Sequence, residues 1–140
     1  MFKKILVAND GSEGGKKALA AAIAMARKFE ADLHCITVNE RPSHFAETVG
    51  EVMEEREESE KFYQRVCSDS ANQAREAGLE LKCEIRAGHE VETVIHHTRD
   101  GHFDLLVVGF MGHSRVFDRI WGGTSQNLTR LAPCCVLVVK

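Results

Sequence analysis

The sequence contains little that would divide the chain or place it in a membrane. It has only two prolines in 140 residues and shows no internal repeat, low-complexity tract or linker. Its length is close to the roughly 150 residues that serve as a guide for one domain, so we expect a single domain over residues 1–140. No apolar run approaches the roughly 18 residues that a membrane-spanning helix needs. The first apolar run stops at Asn9, too early for a signal peptide, and we therefore expect a cytoplasmic protein.

Neither sign of charge dominates the sequence. The net charge is −3 at pH 7. Because a nucleic-acid-binding face normally brings a basic excess, this balance argues against a nucleic-acid partner. The apolar share of 44% and the charged share of 28% are ordinary for a globular protein. A chain of this length buries about two thirds of its unfolded surface, which is enough for a core without cross-links.

The cysteines form no recognisable framework. There are five, an odd number, and no two are spaced as Cys-x-x-Cys, so the sequence supports neither a disulfide framework nor a zinc site. Cys134 and Cys135 are adjacent within an apolar run, which favours buried thiols that pack as small apolar side chains. The other three are Cys35, Cys67 and Cys83.

Strand-like apolar segments alternate along the chain with segments of helical periodicity. The strand-like segments are residues 3–9, 31–38, 78–88, 103–109 and 134–140. The helix-like segments are residues 12–29, 45–77, 89–100 and 124–131. This alternation predicts βαβ units and a parallel sheet covered on both faces. We expect a doubly wound, five-stranded, three-layer α/β/α sandwich of Rossmann-like type, with ligands bound where the strand order reverses, beside the ends of the first and fourth strands.

Several elements carry finer predictions. Ser12 is a suitable N-cap for the first helix. In the third strand, alternate residues from Leu79 to Ile85 should face inward. Residues 103–109 form an unbroken apolar run typical of a strand buried on both faces. The acidic middle of the helix at 45–77 favours a solvated face over a docking surface.

Glycines cluster around the fourth strand and the last helix. Gly109 ends the strand, Gly112 follows three residues later, and residues 122–125 read Gly-Gly-Thr-Ser just before the helix. Glycines let backbone N–H groups approach a ligand closely, and a helix N-terminus favours phosphate. The pattern therefore predicts two backbone cradles that close on a polyphosphate, although glycines after a strand can equally be simple turns. Neither a Gly-x-Gly-x-x-Gly motif nor a complete P-loop is present.

The order of these blocks resembles the universal stress protein family over essentially the whole chain. The matching blocks are "KKILVANDGSEGGKKAL", "ADLHCITV", "DLLVVGFMGHS" and "GGTSQNLTRLAPCCVLVVK". Nucleotide-binding members of the family carry G-x-x-G, nine residues and then G-[ST]. Here Gly109 and Gly112 are followed by nine residues and then Gly122. The next position departs from the motif, because Gly123 replaces its hydroxyl residue and Thr124 comes one place late; pairing Gly123 with Thr124 would restore the dipeptide.

The resemblance implies contacts for individual residues. Asp10 would lie beside the ribose, and the alternative role for its carboxylate is to cap the turn before the first helix. The backbone of Val38 would pair with the adenine edge while its side chain packs on the ring. Ala8 and Asn9 replace the family's more usual Pro-Thr. The nucleotide-binding residues implied in this way are Ala8, Asn9, Asp10, Val38, Gly109, Met111, Gly112, His113, Gly122, Gly123, Thr124 and Ser125.

Other polar residues give weaker indications. His96 and His97 are adjacent on a helix and point about 100° apart, which disfavours a shared metal ion. Arg115 and Arg119 could neutralise phosphate charge, or they could be solvent-exposed charges on a loop. No pair of residues is placed by the sequence as nucleophile and base.

The resemblance implies a regulatory stress-response protein that binds ATP with Mg²⁺, with AMP or ADP as alternatives, and that hydrolyses it weakly or not at all. It also implies a homodimer that pairs through the last strand, whose apolar edge would otherwise be exposed. The main alternative is a homodimeric interaction module of the same fold that binds no nucleotide. A hydrolase or nucleotidyl transferase is a third class.

Overall fold

The computed structural model describes residues 1–40, 49–110 and 123–140. Its elements follow one another in the predicted order. The strands are β1 (Lys4–Ala8), β2 (Asp32–Asn39), β3 (Leu81–Ala87), β4 (Leu105–Gly109) and β5 (Cys135–Val139). The helices are α1 (Glu13–Phe29), α2 (Val49–Glu76), α3 (Glu90–Asp100) and α4 (Thr124–Leu131). Of these helices, none is apolar over a stretch long enough to cross a membrane.

The described strands form one parallel sheet in the order β3-β2-β1-β4-β5. β1 is the point of reversal, since Ile5 is in register with Leu33 of β2 on one side and with Leu105 of β4 on the other. The sheet is the doubly wound, five-stranded type that the sequence predicts. The carboxyl ends of β1 and β4 are therefore neighbours, at the position where such sheets bind ligands.

Two apolar cores lie on the two faces of the sheet. Alternation along β1 directs Ile5 and Val7 to the face covered by α1 and α2, and Leu6 to the face covered by α3 and α4. Leu6 and Leu106 are completely buried in the second core. Burial of each of these side chains stabilises the folded state by about 1.5–3 kcal/mol relative to leaving it exposed. The apolar run of the fourth strand is thus buried on both faces, as predicted.

The helices begin where local chemistry favours them. The Ser12 hydroxyl accepts a hydrogen bond from the Gly15 amide at 3.1 Å and caps α1 as predicted. α2 is described from Val49 onward, and the first residues of the predicted helix, 45–48, lie outside the described residues. Ile85 was expected to face inward, but it is 41% exposed because it lies on the edge strand β3.

The cysteines differ from the prediction. Cys67 of α2 and Cys83 of β3 are joined as a disulfide with their Cα atoms 5.5 Å apart, although their spacing gave no support for a pair. Cys135 is exposed and Cys134 is half-buried, and neither is the fully buried thiol expected. The reason is that they lie at the start of β5, which is an edge strand in the described sheet. Cys35 is buried, which raises the pKa of its thiol to about 12.

The end of β4 lies directly against the first turn of α1. A Cβ atom on Gly109 would lie 2.9 Å from the Cα atom of Gly14 and closer still to the Gly14 carbonyl group. Only glycine permits this approach without moving the helix. The contact brings the end of β4 beside the loop between β1 and α1.

Two histidines pack around one phenylalanine near the amino ends of the central strands. The ring centroid of Phe103 lies 5.0 Å from that of His34 and 5.6 Å from that of His97. Lys4 Nζ lies 4.7 Å from the same ring centroid. Burial lowers the pKa of both histidines and the charge of Lys4 lowers it further, while the carboxylate of Glu84 opposes the shift at His97.

We expect the free energy of unfolding to fall as the pH is lowered from about 7.5 to about 5.5, because the folded state binds fewer protons on His34 and His97 than the unfolded state. The loss begins near the unfolded pKa of 6.5 and continues until the lowered folded pKa is reached. Urea unfolding at a series of pH values measures this dependence. Replacing one histidine in His97→Gln should make the dependence shallower.

His96→Gln is the matched control, because His96 is exposed on the same helix beside Arg99. This variant should keep the wild-type dependence on pH. A wild-type protein whose stability is constant over this range, or equal effects of the two substitutions, would contradict the prediction.

Candidate functional site

The predicted site residues divide between described and undescribed parts of the chain. Met111, Gly112, His113 and Gly122 lie outside the described residues, as do Arg115 and Arg119. The remaining predicted residues lie at or beside the carboxyl ends of the strands. They are Ala8, Asn9 and Asp10 after β1, Val38 near the end of β2, Gly109 at the end of β4, and Gly123, Thr124 and Ser125 at the start of α4.

Asp10 follows β1 and organises the turn into α1. Its Oδ1 accepts hydrogen bonds from the Ser12 amide at 3.0 Å and from the Ser12 hydroxyl. This is the turn-stabilising role that the sequence left as one of two possibilities. Contact with a ribose stays a prediction. Asp10 is half-buried and follows β1, the strand at which the strand order reverses.

Asn9 is a buried polar residue, only 4% exposed, that fixes the same loop. Its amide N–H donates to the Ile36 carbonyl of β2 at 3.1 Å, which continues the pairing of β1 with β2. Its side-chain Oδ1 accepts from the Gly11 amide at 3.0 Å, and its Nδ2 donates to the Ser70 hydroxyl of α2 at 3.0 Å. These bonds hold the loop in one position and do not involve the carboxylate of Asp10, the next residue.

The start of α4 leaves backbone donors without a side-chain cap. Gly123 is the N-cap residue, and glycine has no side chain with which to bond the first amides of the helix. Ser125 Oγ donates to the Phe110 carbonyl at 3.4 Å, so the helix start is tied to the residue that follows β4. Gly123 lacks the motif's hydroxyl and so removes one predicted side-chain contact with phosphate, whereas the backbone N–H groups at the start of the helix do not depend on that side chain.

Val38 and Ala8 contribute mainly to packing in the described structure. The Val38 side chain is buried in the core between the sheet and α3 and α4, and its backbone is in register with Arg86 of β3. Ala8 packs against the same core. The predicted contact of Val38 with adenine and the predicted nucleotide-binding role of Ala8 stay predictions.

α2 brings to this edge of the sheet side chains that the sequence analysis missed. Tyr63 lies near three carboxylates, and burial first, then the charges of Asp10, Glu90 and Glu40, raise its pKa. Glu40 Oε1 also accepts from the Glu90 amide at 3.1 Å. The aromatic residues at the end of the acidic segment of α2 were the signal that could have revealed this contact, since a fully solvated helix does not need large apolar side chains.

The two sides of the crevice differ in charge. Asp10, Glu40 and Glu90 gather at the ends of β1 to β3. On the other side, Lys140 Nζ lies 5.5 Å from the ring centroid of Phe110, whose carbonyl accepts from Ser125 at the start of α4. Carboxylates accept hydrogen bonds from hydroxyl groups, whereas amides and an ammonium group attract anions. A ligand with a hydroxylated end and an anionic end fits this polarity.

Metal binding by the protein alone has little support in the described part of the chain. There, no three histidine, cysteine, aspartate or glutamate side chains come together in a way that could hold a metal ion. His96 is exposed beside Arg99, while His97 packs on Phe103, so the two rings occupy different surroundings.

Comparison with known proteins places the chain in a family. The model of the universal stress protein family matches residues 1–140. The chain is 27% identical over 154 residues to the universal stress protein YxiE of Bacillus subtilis, with 100% of both chains covered. It is 31% identical over 142 residues to a universal stress protein of Thermus aquaticus, again with 100% of both covered.

Solved structures share the fold. The universal stress protein UspA from Lactobacillus plantarum matches with a TM-score of 0.88 at 21% identity, covering 99% of this chain and 98% of that one. A universal stress protein in complex with cAMP matches at 0.78 and 23%, covering 99% and 97%. A family protein from Arabidopsis thaliana with AMP bound matches at 0.69 and 17%, covering 99% and 91%. The chain belongs to the universal stress protein family.

Proposed function

We propose that this protein binds an adenine nucleotide at the carboxyl ends of β1 and β4 and acts in the cytoplasm as a regulatory protein of the stress response. ATP with Mg²⁺ is the ligand we favour, and AMP and ADP are the alternatives. The binding residues are those named from the sequence, including Asp10 for the ribose and Gly123 to Ser125 for phosphate.

The observation that carries this proposal is the convergence of two backbone elements on one crevice. The contact of Gly109 with Gly14 brings the end of β4 against the loop that holds Asp10. The uncapped start of α4 is tied to Phe110, the residue that follows β4. A ligand between them would meet a carboxylate at one end and the first backbone N–H groups of α4 at the other. A nucleoside phosphate matches this arrangement, because its ribose hydroxyls can face the carboxylate and its phosphate can face the amides.

Two relatives of the same fold support an adenine nucleotide in particular. One was crystallised with cAMP and the other with AMP. Both ligands combine adenine and ribose with a single phosphate, so both use the adenosine part together with at least one anion site. This part of the ligand is common to ATP, ADP and AMP.

Mg²⁺ fits the proposed site only as a partner of the ligand's phosphates. Because the described side chains include no metal-binding group of three, phosphate oxygens and water would supply most of its coordination, as is usual for this ion. The hydroxyls of Thr124 and Ser125 are the described side chains best placed to add to it. When bound, the ion neutralises phosphate charge.

We expect hydrolysis to be weak or absent. The described carboxylates near the crevice, Asp10, Glu40 and Glu90, lie on the side assigned to the ribose. Among the described residues, none is thus placed as a base for a water molecule beside the distal phosphates. A regulatory role follows more readily than an enzymatic one.

We also propose a homodimer that pairs through β5. Residues 136–139 are half-buried and mostly apolar, although β5 is an edge of the described sheet. Such an edge invites pairing with another strand unless it is covered. A second copy related by a two-fold axis would cover it.

The first prediction from this proposal concerns binding itself. Protein purified without added nucleotide and then denatured should release an adenine nucleotide that mass spectrometry identifies. Calorimetric titration of the emptied protein with ATP and Mg²⁺, and separately with AMP, should give saturable heat. Absence of released nucleotide together with absence of heat for both ligands would favour the alternative, an interaction module that binds no nucleotide.

The second prediction concerns the proposed hydrogen bond between Asp10 and the ribose. Asp10→Ala should weaken ATP binding by about tenfold or more, the usual value for a hydrogen bond to a charged group. Binding of 2′,3′-dideoxy-ATP, which lacks the ribose hydroxyls, should change much less. Asp10→Asn is the matched control, because its amide oxygen can still accept from the Ser12 amide and so preserve the turn. Equal losses for the two ligands would remove Asp10 from the ribose.

The third prediction concerns the edge strand. Light scattering on the wild-type protein should give the mass of two chains. Val138→Lys places a charge on β5 and should give a monomer with an unchanged circular dichroism spectrum. Ile85→Lys places the same charge on the opposite edge strand and should stay a dimer. A Val138→Lys protein that remains dimeric would exclude pairing through β5.

A further inference from the structure

One face of α2 packs on the loop that carries Asp10. Phe62 and Val66 both touch Gly11, since a Cβ atom on that glycine would lie 2.9 Å from Phe62 Cζ and from Val66 Cγ2. Gly11 has a φ of 82°, which other residues rarely adopt. Ser70 lies one further helical turn along the same face. We call Phe62, Val66 and Ser70 the α2 stripe.

A chain of hydrogen bonds connects the α2 stripe to the loop. The Ser70 hydroxyl donates to the Val66 carbonyl at 2.6 Å and accepts from Asn9 Nδ2 at 3.0 Å. Asn9 Oδ1 in turn accepts from the Gly11 amide at 3.0 Å. Ser70 is 1% exposed, so the connection is shielded from water and from competing hydrogen bonds. A displacement of α2 would therefore displace the loop that precedes α1.

The interface between α2 and the sheet is unusually polar at this point. Cys35 lies within hydrogen-bonding reach of Ser70. Thr37 follows two residues later on β2 and so faces the same side of the sheet; its hydroxyl is buried and has no partner among the described residues. Burial of polar groups gives less stabilisation than burial of apolar ones. Part of the contact between α2 and the sheet is therefore polar rather than apolar.

A disulfide bond lies beside the α2 stripe. Cys67 directly follows Val66 and is joined to Cys83 of β3, the strand that pairs with β2. Both cysteines are half-buried, which leaves them accessible to small oxidants and reductants. The disulfide closes a separation of 16 residues, from the middle of α2 through its end to the edge strand. It fixes α2 to the sheet one residue away from the contact with Gly11.

We propose that Cys67 and Cys83 are a reversible thiol–disulfide pair that regulates the nucleotide site, and that Ser70 is the positioning residue through which α2 acts on the Asp10 loop. In the disulfide form, α2 is held on the sheet and the loop is ordered for its ligand. In the dithiol form, α2 is less restrained, so the loop has to become ordered when the ligand binds, and the affinity is lower. This inference rests on the proposed nucleotide binding.

The chemical step is a two-electron oxidation by a peroxide. The thiolate of one cysteine attacks an oxygen of hydrogen peroxide and becomes a sulfenic acid, while the O–O bond breaks and the leaving hydroxide takes up the proton that the thiol released, forming water. The second thiol attacks the sulfenic sulfur, the S–S bond forms, and the hydroxyl leaves as a second water with the thiol proton. A dithiol reductant reverses the step by thiol–disulfide exchange and is itself oxidised to a disulfide.

The test compares the oxidised and reduced forms of one protein. All proteins carry Cys134→Ser and Cys135→Ser, which remove the half-buried and the exposed free thiol that could react instead. Hydrogen peroxide or a dithiol sets the redox state, and peptide mapping detects the linked Cys67–Cys83 pair. Two measurements follow: the affinity for ATP with Mg²⁺, and hydrogen–deuterium exchange of the amides of residues 11–15 without nucleotide.

We expect the oxidised form to bind ATP about fivefold or more tightly than the reduced form, at the lower end of couplings between sites. The amides of residues 11–15 should exchange more slowly when the disulfide is present. Both differences should vanish in Cys67→Ser, and Cys83→Ser on the edge strand is an independent second variant. Ser70→Ala should still form the disulfide but should lose most of the redox difference in affinity.

Each outcome bears on one of the two proposals. Failure of peroxide to link Cys67 with Cys83, or equal exchange of residues 11–15 in the two forms, would overturn the redox coupling even if ATP binds. A difference in exchange without ATP binding in either form would support the coupling and contradict the proposed nucleotide. A full redox difference in Ser70→Ala would remove Ser70 as the positioning residue.

Discussion

The site depends on how closely the first turn of α1 approaches the end of β4. Gly109 and Gly14 meet there without a side chain on either, and a single Cβ atom on Gly109 would force the two elements apart. This contact sets how closely α1 approaches the end of β4 at the point where the strand order reverses. Because the Asp10 loop leads into α1 and Phe110 follows β4, the same contact brings these two segments near each other.

α2 provides the second constraint on this crevice. Phe62 and Val66 cover Gly11, and Asn9 is hydrogen-bonded to Ser70. The loop between β1 and α1 is therefore held by α2 as well as by the sheet. The loop thus has its hydrogen bonds satisfied within the protein. Asp10 is then kept in place by neighbours that do not themselves need to touch a ligand, which is how a binding site becomes pre-organised.

Much of the fold follows from local patterns. The five strands and four helices are near their predicted places, because alternation and helical periodicity report directly on which faces are buried. Ile85 was misjudged because a pattern of apolar residues does not show that β3 lies at an edge. The Cys134–Cys135 pair was misjudged because its apolar run was taken as buried, although the last strand itself was expected at an edge. The disulfide was missed for a similar reason: Cys67 and Cys83 belong to elements of different type, and their proximity depends on how α2 crosses the sheet.

By itself, the sequence determined the order of the elements, the family resemblance, and the glycines and Asp10 at strand ends, because these depend on neighbours along the chain. Only the tertiary structure decided that Tyr63 and Ser70 reach the same edge of the sheet, and that a disulfide lies beside the contact of Val66 with Gly11. Such contacts join residues far apart in sequence. Their geometry is set by the packing of whole elements, which no local pattern encodes.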